Sequence, residues 1–90
     1  MWFITLVKFK RQPTKAEADA MTERWKEAEK WNIKLHHSFW TLGRYDAVTI
    51  TEAPDEKTAM KFAIDIAKTG IGATETMVAV SRDEAVSWLK

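Results

Sequence analysis

The sequence has no cysteine, only two histidines and no excess of charge of one sign. Without cysteine, disulfides, thiol catalysis, iron–sulfur clusters and cysteine-ligated zinc are excluded. The 14 basic and 13 acidic residues leave a formal net charge of +1, whereas nucleic-acid binding needs a concentrated basic face. No apolar run reaches the roughly 18–20 residues of a membrane span. We therefore expect neither nucleic acid nor a membrane as a partner.

The residues that are present suit one globular domain over residues 1–90. Hydrophobic residues make up 46% of the chain and charged residues 30%. The first residues lack the basic leader and cleavage site of a signal peptide, so we expect a cytoplasmic protein. Five tryptophans are many for so small an interior, which predicts that some apolar surface lies against a partner chain.

Hydrophobic periodicity predicts four strands and three helices. The strands cover residues 2–9, 33–42, 45–52 and 73–80, and the helices cover residues 15–31, 54–68 and 82–89. Thr14 with Glu17, and Ser81 with Glu84, have the spacing of capping boxes at two helix starts. Pro54 suits the first turn of the middle helix, and Gly43 predicts a tight turn between the second and third strands.

The order β-α-β-β-α-β with a short C-terminal helix predicts an α+β protein with the ferredoxin-like sandwich, both main helices covering one face of the sheet. The first strand is apolar on both sides, with Phe3 and Val7 on one and Ile4 and Leu6 on the other. Such a strand is buried on both faces, although one copy of the chain covers only one. We therefore expect a homodimer in which two sheets pack face to face.

The segment Gly43-Arg44-Tyr45-Asp46, preceded by Phe39-Trp40-Thr41-Leu42, resembles the signature of the GYD-domain family. The first strand and residues 72–76 also look like the family's first strand and the start of its last strand. The resemblance implies a ferredoxin-like fold assembled as a dimeric α/β barrel. Relatives on this architecture include monooxygenases, haem-degrading enzymes, lactone isomerases and ligand-sensing domains, so the fold by itself specifies no activity.

Adjacent His36 and His37 are the only histidines. On a regular strand their side chains face opposite ways and cannot chelate one ion, so no metal site is predicted. His37 and Phe39 share a side of the predicted strand, and we expect both to line a ligand-binding cleft with Trp25. There His37 would act as a base or a hydrogen-bonding group. In the alternative interpretation, one histidine is hydrogen-bonded under a helix, the other lies near the dimer interface, and Trp25 belongs to the core.

Tyr45 and Asp46 are the other candidate catalytic residues because they carry ionisable groups beside the signature turn. The structural alternative is that Asp46 accepts hydrogen bonds from the backbone or from an arginine, while the Tyr45 ring packs and its hydroxyl finds a polar partner. Trp2 and Trp40 lie on strand faces, and we expect both at the dimer interface.

Two classes of function remain open. The first is a small-molecule-binding protein, accessory or regulatory, with an apolar cleft between sheet and helices. The alternative is a cofactor-independent enzyme, monooxygenase-like or isomerase-like, that uses the same cleft. No cofactor is expected because none of the three glycines lies in a phosphate-binding pattern. A cleft on which His37 converges would favour the enzyme, whereas a space filled by Trp25, Phe39 and Met60 would be core.

Overall fold

The strands and helices of the computed structural model, which describes residues 1–89, follow the predicted order. The strands are β1 Trp2–Phe9, β2 Lys34–Trp40, β3 Ala47–Glu52 and β4 Gly72–Ala79. The helices are α1 Lys15–Ala28, which continues into a 3-10 turn over Glu29–Trp31, α2 Glu56–Ala67 and α3 Arg82–Ser87. Every predicted element is present, and its ends are shifted by at most three residues.

The four strands form one antiparallel sheet in the order β2-β3-β1-β4. The central position of β1 is confirmed. Phe3 is buried in one cluster with residues of α2 and the end of α1, so the odd-numbered side chains of β1 face the helices. We call this side the inner face and the opposite side, with Trp2, Ile4 and Leu6, the outer face. The predicted ferredoxin-like fold is confirmed.

The first helix begins at the predicted capping box. The Thr14 hydroxyl accepts the Glu17 backbone N–H at 3.1 Å, and the Glu17 carboxylate accepts the Thr14 N–H at 2.9 Å. Both carboxylate oxygens of Glu17 also accept hydrogen bonds from Arg11. The hydrogen bonds from Arg11 and the Thr14 N–H lower the pKa of Glu17 to about 2.

The other two helix starts use the same chemistry. Asp55, rather than Pro54, caps α2 by accepting the Thr58 N–H at 2.7 Å, and this hydrogen bond lowers the pKa of Asp55. Pro54 therefore precedes the cap instead of lying in the first turn. Ser81 caps α3 by accepting the Glu84 N–H at 3.1 Å, as predicted.

The buried core lies where both helices meet the sheet. It consists of Phe3, Ala28, Ile33, Ala53 and Phe62, and each large apolar side chain in it contributes roughly 1.5–3 kcal/mol to stability. The Trp25 and Phe62 rings pack at 4.6 Å between centroids. This cluster anchors α1 and α2 to the sheet, and the remaining length of the inner face is left less densely covered.

A β-bulge in β2 changes the face of the sheet on which the side chains of the second half of the strand lie. Leu35 pairs with Thr51, and His37 pairs with the next residue of β3, Ile50, so His36 is an extra residue in the ladder. The strand therefore resumes its alternation one residue out of step after His36. Leu35 lies on the inner face, and His37 lies on the outer face with Ile50.

The connection between β2 and β3 is longer than predicted. Residues 41–46 form it, closed by a hydrogen bond from the Thr41 N–H to the Asp46 carbonyl at 2.8 Å. The expectation of a tight turn at Gly43 and Arg44, with Tyr45 already in the strand, is wrong. Gly43 has a φ of +109°, so the loop does require the positive φ that glycine adopts most easily.

Candidate functional site

A cavity of about 350 Å³ lies between the inner face of the sheet and the two main helices. Its lining is mainly apolar and includes Trp25, Phe62 and Ile66 on the helix side. Every residue of β2 is exposed, so the cavity opens to solvent along that edge of the sheet. Its volume lies at the small end of the range typical of ligand sites.

Four hydroxyl side chains form a row across the floor of this cavity. Ser38 pairs with Thr49, Thr49 with Thr5, and Thr5 with Thr76, so the row crosses all four strands. All four residues line the cavity. Sequence analysis missed this hydroxyl row because it depends on the register of strands that are far apart in the chain. The available signal was threonine at alternating positions of β3 and β4.

The polar side-chain groups of the lining are hydroxyls and the indole N–H groups of Trp25 and Trp40. Thr22, Thr51 and Thr74 also contribute to the wall, and none of the described residues that line the cavity carries an ionisable side chain. The site therefore offers neutral hydrogen-bonding groups along an apolar surface. Burial of an isolated charge in such a place is strongly unfavourable, whereas a neutral polar group can be satisfied by a hydroxyl.

Thr49 lies at the centre of this arrangement and is only 8% exposed. Its Oγ1 has no hydrogen-bond partner among residues 1–89. The next hydroxyl in the row, Thr5 Oγ1, lies 3.0 Å from Thr76 Oγ1, and these two satisfy one another. A buried polar group left unpaired costs about 1–3 kcal/mol, so Thr49 Oγ1 is a destabilising feature that a hydrogen-bonding ligand would relieve.

The structure does not bring His37 and Phe39 to the cavity. The prediction that they face the helices is wrong because the bulge at His36 turns both side chains to the outer face. There the His37 ring stacks on Phe39, with 5.8 Å between centroids and 9° between planes. Trp25 does line the cavity, and its role as a ligand contact stays a prediction.

The bulge also separates the two tryptophans that were predicted at one interface. Trp40 pairs with Ala47 on the inner face, packs edge-to-face on Phe9 at 5.3 Å and lines the cavity. The expectation that it shares the outer face with Trp2 is therefore wrong. Trp2 is on the outer face and 40% exposed, so it remains available for the predicted interface.

His36 and His37 lie on the same face, contrary to the prediction. The ring of His36 packs on Trp2 at 4.6 Å, and its Nε2 lies 3.1 Å from the carboxylate of Glu52. Since Trp2 and Glu52 are paired on the outer face, His36 belongs to that face with His37. Among residues 1–89 there is nevertheless no group of three or more side chains arranged to hold a metal ion.

Tyr45 and Asp46 lie outside the cavity lining. The Asp46 carboxylate accepts the Phe9 N–H at 2.8 Å and lies 3.7 Å from Lys8 Nζ. The Tyr45 hydroxyl donates to Glu75 at 2.8 Å, and this hydrogen bond raises the pKa of Tyr45. Both contacts hold the loop of residues 41–46 against the neighbouring strands, as the structural alternative describes.

No helix within residues 1–89 is both long and apolar enough to cross a membrane. Among the curated proteins, none matches this chain. The crystal structure of FFRP-DM1 resembles it with a TM-score of 0.62 and 21% sequence identity, over 88% of this chain and 97% of that chain. At this identity the likeness shows the fold alone. The family model of the GYD domain matches residues 3–89, and the chain therefore belongs to the GYD-domain family.

Proposed function

We propose that the chain is a small-molecule-binding protein, accessory or regulatory, that takes an uncharged ligand into the cavity between its sheet and helices. The observation that carries the proposal is the Thr49 side chain, which lines the floor of the cavity and whose fully buried hydroxyl has no partner within residues 1–89. Folded chains seldom leave such a group unpaired. Rotation of the Thr49 side chain about χ1 would turn this hydroxyl toward a ligand in the cavity, and the ligand would also cover the apolar surface around it.

The arrangement of the lining favours binding over the enzymatic alternative. A cofactor-independent monooxygenase or isomerase would need a group that transfers a proton within reach of the substrate. The candidate groups His37, Tyr45 and Asp46 lie outside the lining, and the hydroxyls in the cavity have no ionisable neighbour there among residues 1–89. Unactivated hydroxyls are weak bases and weak nucleophiles, but they serve well as hydrogen-bonding groups for a ligand.

A cavity-filling substitution tests where a ligand binds. Ala63 lines the cavity and Ala67, one turn later on α2, is exposed and outside the lining. In a thermal-shift screen of uncharged aromatic compounds, we expect hits that raise the melting temperature of the wild type and of Ala67→Phe but not of Ala63→Phe. His37→Ala should respond to the same compounds as the wild type does. Compounds that stabilise Ala63→Phe equally well would place the binding site elsewhere and contradict the proposal.

The outer face supports the proposal of a homodimer. Two cross-strand rows on this face are mainly apolar: one contains His37, Ile50, Ile4 and Met77, and the other contains Phe39, Val48, Leu6 and Glu75. Phe39 is 53% exposed and Met77 is 39% exposed. A second copy of the same face would remove these side chains from water. Sedimentation that shows a stable monomer at micromolar concentration would contradict this part of the proposal.

A further inference from the structure

The environment of Thr49 restricts the chemistry of a ligand more than the cavity volume does. Thr49 lies in the middle of the hydroxyl row, and its Oγ1 is unpaired among residues 1–89. The next two hydroxyls of the row, those of Thr5 and Thr76, are hydrogen-bonded to one another. A hydroxyl donates one hydrogen bond and accepts others. Once the Thr49 side chain rotates about χ1 so that Oγ1 faces the cavity, a ligand oxygen of either kind, a hydroxyl or a carbonyl, would therefore satisfy it.

The walls around this hydroxyl favour a ring system without charge. Aromatic side chains line the cavity on both layers: Phe3, Phe9 and Trp40 from the sheet, and Trp25 and Phe62 from the helices. Aromatic rings bind other rings through stacked or edge-to-face contacts. Since no described lining residue is ionisable, a charged ligand would lose its hydration without gaining a counter-charge.

We infer that the cavity binds an uncharged aromatic molecule that bears a hydroxyl or carbonyl oxygen, with this oxygen hydrogen-bonded to Thr49 Oγ1 and the ring held among Trp25, Phe62 and Trp40. This inference rests on the proposed function, because it names the ligand class and the anchoring residue for the same cavity. The Thr49 hydroxyl would make an oxygen-bearing ring bind more tightly than the bare hydrocarbon. The apolar wall would make the neutral ring bind more tightly than a carboxylate.

Three probes of one ring system test this inference by calorimetry on the full chain at neutral pH. They are 2-naphthol, naphthalene and 2-naphthoate, which present a hydroxyl, no polar group and a negative charge on the same ring. A net hydrogen bond of ordinary strength predicts that 2-naphthol binds about 5- to 10-fold more tightly than naphthalene. The carboxylate should bind most weakly of the three.

Two substitutions at one position assign the preference to the hydroxyl. Thr49→Val has nearly the same shape and lacks the hydroxyl, so it should bind naphthalene as the wild type does and bind 2-naphthol no better than naphthalene. Thr49→Ser restores a hydroxyl and should restore the preference for 2-naphthol. Near-ultraviolet circular dichroism of each variant verifies that the aromatic packing is retained.

The outcomes separate the inference from the proposed function. If the wild type binds naphthalene and 2-naphthol equally, or if Thr49→Val keeps the preference, the assignment of Thr49 is wrong while the cavity remains a binding site. Tightest binding of 2-naphthoate would overturn the neutral ligand class. If the wild type binds none of the three probes, both the inference and the proposed aromatic binding site fail.

Discussion

Each face of the sheet carries one group of side chains that a solitary two-layer domain would not be expected to place there. The inner face, which meets the helices, has the row of Ser38, Thr49, Thr5 and Thr76. The outer face, on which Phe39 and Met77 are exposed, has aliphatic and aromatic side chains in the rows of His37 and Phe39. A sheet with one buried face usually points its apolar side chains toward the helices and its hydroxyls toward water.

These two departures suit a sheet of which each face meets a partner that the single chain does not provide. Hydroxyls under a partly open cavity are useful when a ligand is present to pair with them. Apolar side chains on the outer face are useful when a second sheet covers them. Under the proposed function, the same four strands carry a ligand site on one face and an association surface on the other, with β1 at the centre of both.

The largest expected effect comes from placing a charge in the middle of the outer face. Ile4 lies between Ile50 and Met77 on that face, and Ile4→Glu would bury a carboxylate between the two sheets of the proposed dimer. Burial of an unpaired charge is costly enough that the dissociation constant of the dimer should rise at least about 100-fold. Ala67→Glu makes the same charge change on an exposed helix position and should leave association unchanged. Sedimentation equilibrium measures the dissociation constant of each variant. Equal constants for the two variants would contradict the placement of the outer face at the dimer interface.

A substitution at Gly72 should lower the stability of the whole sheet. It disturbs the pairing of β4 with β1, and β4 contributes side chains to both faces. A Cβ on Gly72 would overlap the backbone carbonyl of Lys8 in the paired strand, and rigid backbone cannot move aside as a side chain would. Gly72→Ala should therefore cost about 3 kcal/mol, the upper end for overpacking. Gly43→Ala is the matched control, since its Cβ would meet nothing within 4 Å and only the positive φ opposes it, at about 1 kcal/mol. Urea denaturation should rank them in this order, and a reversed order would contradict the close approach of β4 to β1.

Two substitutions at neighbouring residues of β3 compare the two faces directly, because one removes a hydroxyl from the inner face and the other adds a hydroxyl to the outer face. Thr49→Val removes an unpaired buried hydroxyl and should stabilise the unliganded protein by about 1 kcal/mol. Ile50→Thr, one residue later on the outer face, should destabilise it by about 1 kcal/mol through loss of apolar burial. Opposite signs in thermal or urea unfolding support this difference between the positions of Thr49 and Ile50. If Thr49→Val is also destabilising, its hydroxyl is satisfied in solution and the ligand argument loses its foundation.

The smallest expected effect is the pH dependence at Glu17, which lies on neither face. The folded pKa of Glu17 is about 2, below its ordinary value of 4.5, because of hydrogen bonds from Arg11 and Thr14. Its ionised form therefore stabilises the fold above pH 4.5, and this contribution is lost as the pH falls from about 4.5 to about 2. Glu17→Gln should flatten that part of the stability profile while leaving ligand binding and sedimentation unchanged. A profile identical to the wild type would show that the Arg11 contact is absent in solution.

The fold was largely predictable from the sequence because its signals are local. The capping box at Thr14, the double-sided apolar pattern of β1 and the alternation of strand and helix periods each involve a few neighbouring residues. The same holds for the positive φ at Gly43, although the loop around it proved longer than a tight turn.

The candidate site was not predictable because it depends on two non-local features. One extra residue at His36 changes the side of the sheet on which His37, Phe39 and Trp40 lie. No residue type at this position predicts a bulge. The hydroxyl row joins Ser38, Thr49, Thr5 and Thr76 only through strand register, which pairs Thr5 with a residue 71 positions later. Periodicity within one strand contains neither the bulge nor these pairings.

The most direct test of the division between faces is a solution measurement on neighbouring methyl groups. Thr49 and Ile50 are adjacent in β3 and point to opposite faces of the sheet. With methyl-labelled protein and bound 2-naphthol, the account predicts nuclear Overhauser effects from the ligand ring to the Thr49 methyl group and none to the Ile50 methyl groups. Effects to Ile50 without any to Thr49 would place the ligand on the outer face and contradict the account.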